Sequence, residues 1–113
     1  MKDDLEAIRI KLKFADVDNF ISIGVEDNNV ILKDVAIDIP FEYFKIPVGI
    51  NVLKVGCCSG INIMTVVVPE TVILIEDNCF ANCNKLQRIL IPESLLKFER
   101  QLKMSNRARI EVV

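Results

Sequence analysis

The stretch from Ile63 to Pro92 repeats its own pattern, and that repetition limits the folds open to the chain. Ile63, Val66, Val68 and Pro69 are spaced as Leu86, Ile89, Ile91 and Pro92 are. Pro47 precedes Pro69 by 22 positions, and Pro69 precedes Pro92 by 23. Between the last two prolines lie Val72, Ile75, Cys79, Phe80 and Cys83. A fixed period of this length marks a solenoid, in which each unit is one supersecondary turn that cannot bury its apolar face alone. Proline lacks an N–H and fixes φ, so a proline after each strand ends ladder pairing and holds successive strands to one length.

Counting on these stops gives units at 46–67 and 68–90 and a degenerate third at 91–113, with Phe41–Ile46 as the first repeat strand. Leu86, Ile89 and Ile91 then point inward, with Phe80 and Cys83 inward under the opposite wall. Ile89 and Val66, each three residues before a proline, fall on the same inward position of adjacent parallel strands. In the third unit Leu95, Leu96, Phe98, Leu102 and Met104 fall at roughly helical spacing. The expectation there is a short amphipathic helix over 93–104 and a last strand from Arg107 to Val113.

The segment 1–40 has a different pattern. Ile8, Ile10, Leu12 and Phe14 alternate with Arg9, Lys11 and Lys13, which predicts a half-buried strand. Phe20–Val25 and Val30–Ile39 read as two further strands, separated by the turn formers Glu26, Asp27, Asn28 and Asn29. An antiparallel meander of this kind would cap the exposed face and strand edge of the first repeat. The chain thus reads as one domain, with a β cap over 1–40, repeats over 41–92 and a closing unit over 93–113.

The series Val68, Pro69, Val72, Ile75, Phe80, Cys83, Leu86, Ile89, Ile91 and Pro92 resembles the BspA-like class of leucine-rich repeats. Cys79 departs from that pattern, which usually has Ala before the Phe. The likeness is specific over 63–92, fair over 46–62 and loose over 93–113, and it is not seen over the segment 1–40. It implies a mainly β solenoid wound as a right-handed coil with parallel strands, and protein recognition as the usual role. No catalytic residue comes with it.

Composition excludes several chemistries. The chain has 113 residues, no His, and no G-x-x-x-x-G-K-S/T, G-x-G-x-x-G or G-x-S-x-G motif. The commonest general base and the usual phosphate-cradling loops are therefore lacking, and no enzymatic activity or cofactor is expected. Cys57, Cys58, Cys79 and Cys83 do not follow the paired C-x-x-C spacing of zinc sites, so no metal is expected. Counted from the prolines, Cys57 and Cys79 are equivalent, as are Cys58 and Phe80. These thiols read as small apolar members of a core column. Two stacked cysteines one strand apart can also approach disulfide distance. No apolar run reaches the roughly 20 residues of a membrane span, and the N-terminus lacks the apolar stretch of a secretory signal, so the expectation is a cytoplasmic location, or a surface one for a mature form whose leader was removed.

The net charge of −2 conceals a gradient: residues 1–42 carry ten acids and five bases, whereas 85–109 carry seven bases and two acids. Residues between the inward positions of each strand must face outward. Aligned on the prolines, they form two ladders, Tyr43–Thr65–Arg88–Arg109 and Lys45–Val67–Leu90–Glu111. Apolar side chains flanked by Arg and Tyr have the composition of a recognition patch, although scattered Val and Leu on a sheet face are also ordinary. The leading expectation is a protein-binding module using these eight residues. A small inhibitor or immunity-type protein, such as a phage or defence-system antagonist, is the alternative. Nucleic-acid binding through the basic C-terminal third ranks below both, because the chain is acidic overall and no exposed aromatics are expected among the bases. A solenoid edge could also support self-association.

Overall fold

A computed structural model describes residues 20–39 and 42–113. The strand expected at 5–14 lies outside the described residues. Among the described residues two sheets, each of four strands, hold a single apolar core between them. The first contains β1 (Ile21–Glu26), β2 (Asn29–Val35), β4 (Val52–Leu53) and β6 (Leu74–Ile75), in that order. The second contains β3 (Tyr43–Lys45), β5 (Thr65–Val67), β7 (Arg88–Ile91) and β8 (Arg109–Val112). The chain alternates between the two sheets from β2 to β7. Each passage therefore adds a strand to one wall and then a strand to the other.

Among the described residues β1 and β2 form an antiparallel hairpin, and every other pairing is parallel. The hairpin turn is set by Asp27 and Asn28, whose φ values of 50° and 68° suit the two-residue turn that matches strand twist. Beyond the turn, Ile31 and Leu32 of β2 pair in parallel with Val52 and Leu53 of β4. Over the described part of the expected antiparallel cap, its third strand, β2, is also the first strand of a parallel wall. That wall is not visible in the alternation pattern, because β4 and β6 are two residues each.

In the other sheet, Phe44, Val66, Ile89 and Ile110 occupy one row, and the first three are almost fully buried. Val66 and Ile89 meet as the proline spacing requires. Leu32, Leu53 and Ile75 form the facing row on the opposite wall. Phe80, Cys57, Cys58, Cys79 and Cys83 fill the end of the core between the walls. No charged or polar residue is buried among the described residues.

The corners that join one wall to the next repeat as well. Gly56 and Gly60 have φ values of 65° and 74°, and their equivalents in the next unit, Asn78 and Asn82, have 60° and 59°. Ser105 continues the second series at 57°. Glycine and asparagine are the residues that enter this left-handed region most readily, so G-C-C-S-G and N-C-F-A-N are one corner written twice. Backbone bonds from Gly56 N–H to Asp77 O, Cys58 N–H to Cys79 O and Gly60 N–H to Ala81 O stack the two corners. In the parallel strands each donor bonds to the carbonyl one residue before its partner. By that rule Cys57 lies over Cys79, and Cys58 over Phe80.

Residues 93–103 are helical, but only Glu99–Lys103 (α1) is α-helical, and Glu93–Phe98 is a 3₁₀ segment. The expected single helix over 93–104 is thus tighter in its first half. Leu95 and Leu102 are buried there, and Leu96 remains partly exposed. Pro92 precedes the segment, and no side chain caps it. The strands at the two ends also shift slightly from expectation: Ile21–Glu26 for the second strand, Asn29–Val35 for the third, and Arg109–Val112 for the last. Among the described residues no helix is long and apolar enough to cross a membrane.

Two outcomes follow from this packing. Phe80→Ala, which empties the fully buried end of the core, should lower unfolding stability by about 3–5 kcal/mol in denaturant titration. Gly60→Asn should change stability by less than about 0.5 kcal/mol, because Asn82 already holds that conformation one layer on and an added Cβ meets nothing within 4 Å. Gly60→Val, with a branched side chain forced to positive φ, should cost at least about 1 kcal/mol. Equal melting of the Asn and Val variants would contradict the corner equivalence.

Candidate functional site: the outward face of the second sheet

The outward face of the sheet β3–β5–β7–β8 brings eight residues together from four separate stretches of chain. Tyr43, Thr65, Arg88 and Arg109 pair in one row, and Lys45, Val67, Leu90 and Glu111 in the next. Neighbouring strands are about 4.8 Å apart in such a sheet, so side chains far apart in sequence become neighbours. The register agrees with the alignment on Pro47, Pro69 and Pro92. Tyr43, Lys45 and Arg109 are exposed, whereas Thr65, Val67, Arg88, Leu90 and Glu111 are half-buried. Val67 and Leu90 are therefore less open than the sequence suggests, because a strand lies on each side of both.

The two ladders are tied together by charge. Arg88 Nε and Nη2 donate to Glu111 Oε2 and Oε1 at 2.7 and 3.0 Å, a two-pronged pair across the diagonal of the face. Arg109 Nε lies 3.5 Å from Glu111 Oε2, the oxygen that Arg88 Nε also meets. The hydrogen bonds from Arg88, with the charges of Arg88 and Arg109, hold the Glu111 carboxyl below the usual glutamate range. The Glu111 hydrogen bond and charge correspondingly raise Arg88 above its ordinary value. Sequence spacing places these residues on one face but gives no sign that one carboxylate serves two guanidinium groups. The signal lies in the diagonal between the ladders: residue 88 is one row and one strand from residue 111.

Lys45 and Val67 also border a groove of about 620 Å³ at the end of the strands. Pro47, Pro69 and Pro92 line it beside Val48 and Val113. The groove follows from the same repeated proline, since three rings stacked at one place leave a furrow without a backbone donor. Sequence reasoning used the prolines as strand stops and did not see the furrow. A further apolar set, Ile73 and Leu96, is exposed on the far wall, each four residues past a repeat proline.

The four cysteines lie away from this face, in the core, as free thiols. Cys79 Sγ donates to Glu76 O at 3.0 Å, and Cys83 Sγ to Cys58 O at 3.1 Å, so they act as donors within and between layers. The bond with Cys58 and burial push the Cys57 thiol well above its ordinary value, and the bond with Cys57 and burial do the same for Cys79. Burial raises Cys83. Thiols held protonated in this way are poor nucleophiles and poor metal ligands. Among the described residues, no group of three or more His, Cys, Asp or Glu is placed to hold a metal ion.

Comparison with known proteins adds one match. The sequence model for the BspA type leucine rich repeat region matches in six copies across residues 11–106. A match that begins at residue 11 corrects the expectation that the likeness spares the segment 1–40. The parallel pairing of β2 with β4 is the structural counterpart, because it places 31–32 in the layer before 52–53. No curated protein matches the chain, and no solved structure does. With the repeat matched over most of its length, and its strands and corners recurring in register, the chain belongs to the BspA type leucine-rich repeat family.

Proposed function

We propose that the chain is a non-enzymatic protein-binding module, a short capped solenoid whose outward sheet face takes a partner bearing acidic groups. The observation that supports this most is the pair of ladders itself. Eight side chains with no duty in the core form one surface with Val67 and Leu90 at its centre, Tyr43 at one edge and bases around them. Apolar and aromatic side chains beside Arg are the groups that carry most binding energy at protein interfaces. Lys45, Arg88 and Arg109 outnumber Glu111, which leaves the face positive and suits an acidic partner surface. On the same reading residues 1–40 act as the N-terminal cap, 41–92 as the repeats and 93–113 as the closing unit.

The Arg88–Glu111 pair stiffens that face, and its titration has a definite sign. A carboxyl held below its ordinary value contributes stability that is present above that value and lost as pH falls through the lowered one. Arg88→Gln should therefore move the Glu111 carboxyl titration, followed by carbon NMR, upward towards the ordinary glutamate range. An unchanged midpoint would mean that the pair does not hold in solution.

Binding is tested by paired measurements on the same variants. Leu90→Asp and Tyr43→Ala should leave thermal melting within a few degrees of the parent, because neither side chain enters the core. Affinity for a partner captured from the native host should fall by about tenfold or more for each, the usual effect of truncating an interface anchor. Unchanged melting with unchanged affinity would clear the face of any role. The search would then move to the proline groove or to the apolar set around Ile73.

A further inference from the structure

β8 ends the second sheet with a row of backbone groups that bond to nothing described. Arg109 N–H donates to Gln87 O at 2.8 Å and Val113 N–H to Ile91 O at 3.0 Å, so the odd-numbered residues of this strand turn their backbone groups towards β7. Alternation then turns the N–H and C=O of Ile110 and Val112 away from β7, towards the open edge. Ala108 N–H, on the same side, is taken by Asn106 Oδ1 at 3.0 Å. Val112 and Val113 are 48% and 73% exposed beside that edge. Open edges of this kind are usually blunted by shortness, charged side chains, a proline or a bulge. β8 is short but has no proline and no bulge, and its charged pair, Arg109 and Glu111, is of opposite sign, so it does not repel a second copy of itself.

We propose that β8 pairs antiparallel with β8 of a second copy, Ile110 opposite Ile110 across a two-fold axis. In that register Arg109 of each copy stands directly across from Glu111 of the other, on the same face. The two Ile110 residues exchange their backbone bonds, and each Val112 N–H reaches the Ala108 carbonyl of the second copy, which leaves the Asn106 bond to Ala108 in place. Sliding the strands so that Ile110 faces Val112 would set Glu111 against Glu111, and like charges directly opposite are unfavourable. Charge therefore selects one register. A two-fold interface of this kind is closed, so it makes a dimer and not a filament.

The two sheets become one, with four strands from each copy, and both outward ladder surfaces lie side by side on it. Two copies of a face on one rigid sheet can engage a repeated or dimeric partner with far higher avidity than either alone. The dimer itself needs no such partner, so it stands or falls separately from the binding role of the face.

Sedimentation equilibrium of the full chain over a wide concentration range tests the proposal. The parent should rise with concentration from 12.8 kDa towards twice that mass. Val112→Pro removes an N–H that bonds nothing among the described residues, and Arg109→Glu sets acid opposite acid at an exposed position. Each should weaken the dimer by about tenfold or more with melting preserved, and added salt should partly restore the Arg109→Glu dimer. Lys45→Glu, on the described strand farthest from β8 in this sheet, should leave the dimer intact. The proposal fails if the parent stays monomeric throughout or if mass doubling survives both β8 variants. It also fails if Lys45→Glu alone abolishes association, which would indicate head-to-tail contact through β3. Should Val112→Pro not fold, Arg109→Glu decides.

Discussion

The hydrogen bonds that run from one layer of chain to the next govern the rest of this structure. They join strand to strand on both walls, and they join corner to corner through Gly56–Asp77, Cys58–Cys79 and Gly60–Ala81. Side chains add to them without leaving the pattern. Thr71 Oγ1 donates to Ile50 O at 2.8 Å and accepts from Gly49 N–H, and Asn51 accepts from Val30 N–H while donating to Thr71 O. Ser59 Oγ donates to Ala81 O, again one layer on. Among the described residues no buried side-chain nitrogen or oxygen lacks a partner. A backbone that satisfies itself along the stack frees the core to be wholly apolar, and the buried set among the described residues is accordingly Ile, Val, Leu, Phe, Cys and Ala, with Pro47.

That constraint explains what can be read from the sequence. Repeated prolines and inward Ile, Val and Leu fix the layer spacing, and layer spacing alone predicts that Thr65 lies beside Tyr43 and Arg88. The second wall is not legible in the same way. Val52–Leu53 and Leu74–Ile75 are too short for alternation to show, and Val52 is buried although it sits in the row opposite to the core-facing Leu53. The corners carry a signal of another kind: Gly56 and Gly60 recur as Asn78 and Asn82, residues unlike in size but alike in tolerating positive φ. Periodicity counted on hydrophobic residues passes over them. The 3₁₀ segment has no clear sequence mark, since Leu95, Leu96 and Phe98 suit either helix.

The outward face shows the limit of spacing more sharply. Register places Arg88 and Glu111 on one surface, but whether two side chains bond depends on rotamers that spacing does not report. Glu111 lies one row and one strand from Arg88, and it accepts both prongs of that guanidinium while Arg109 flanks it. The consequence for recognition is specific. Arg88 is oriented and partly neutralised, whereas Lys45 and the largely exposed Arg109 remain the more available cations on the face. The available positive charge of this surface thus lies at its β3 and β8 sides, in Lys45 and Arg109.

The two sheets also end differently, and the difference bears on what the chain can meet. At the N-terminal side the first sheet, among the described residues, finishes with an antiparallel hairpin, whose Glu26 reaches Lys54 at 3.3 Å. At the C-terminal side the helical run 93–103 stands in chain order where a further strand of the first sheet would come, and its Leu95 and Leu102 belong to the buried core. β8 lies one layer beyond that run, so the second sheet extends past the element that closes the first. A helix can cover an apolar core end without covering the edge of the opposite sheet. The closing unit therefore protects Phe80 and Leu102 while leaving the Ile110 and Val112 backbone outward. An end built only to stop association would carry one sign of charge along that edge. The alternation of Arg109 and Glu111 makes this one complementary to itself.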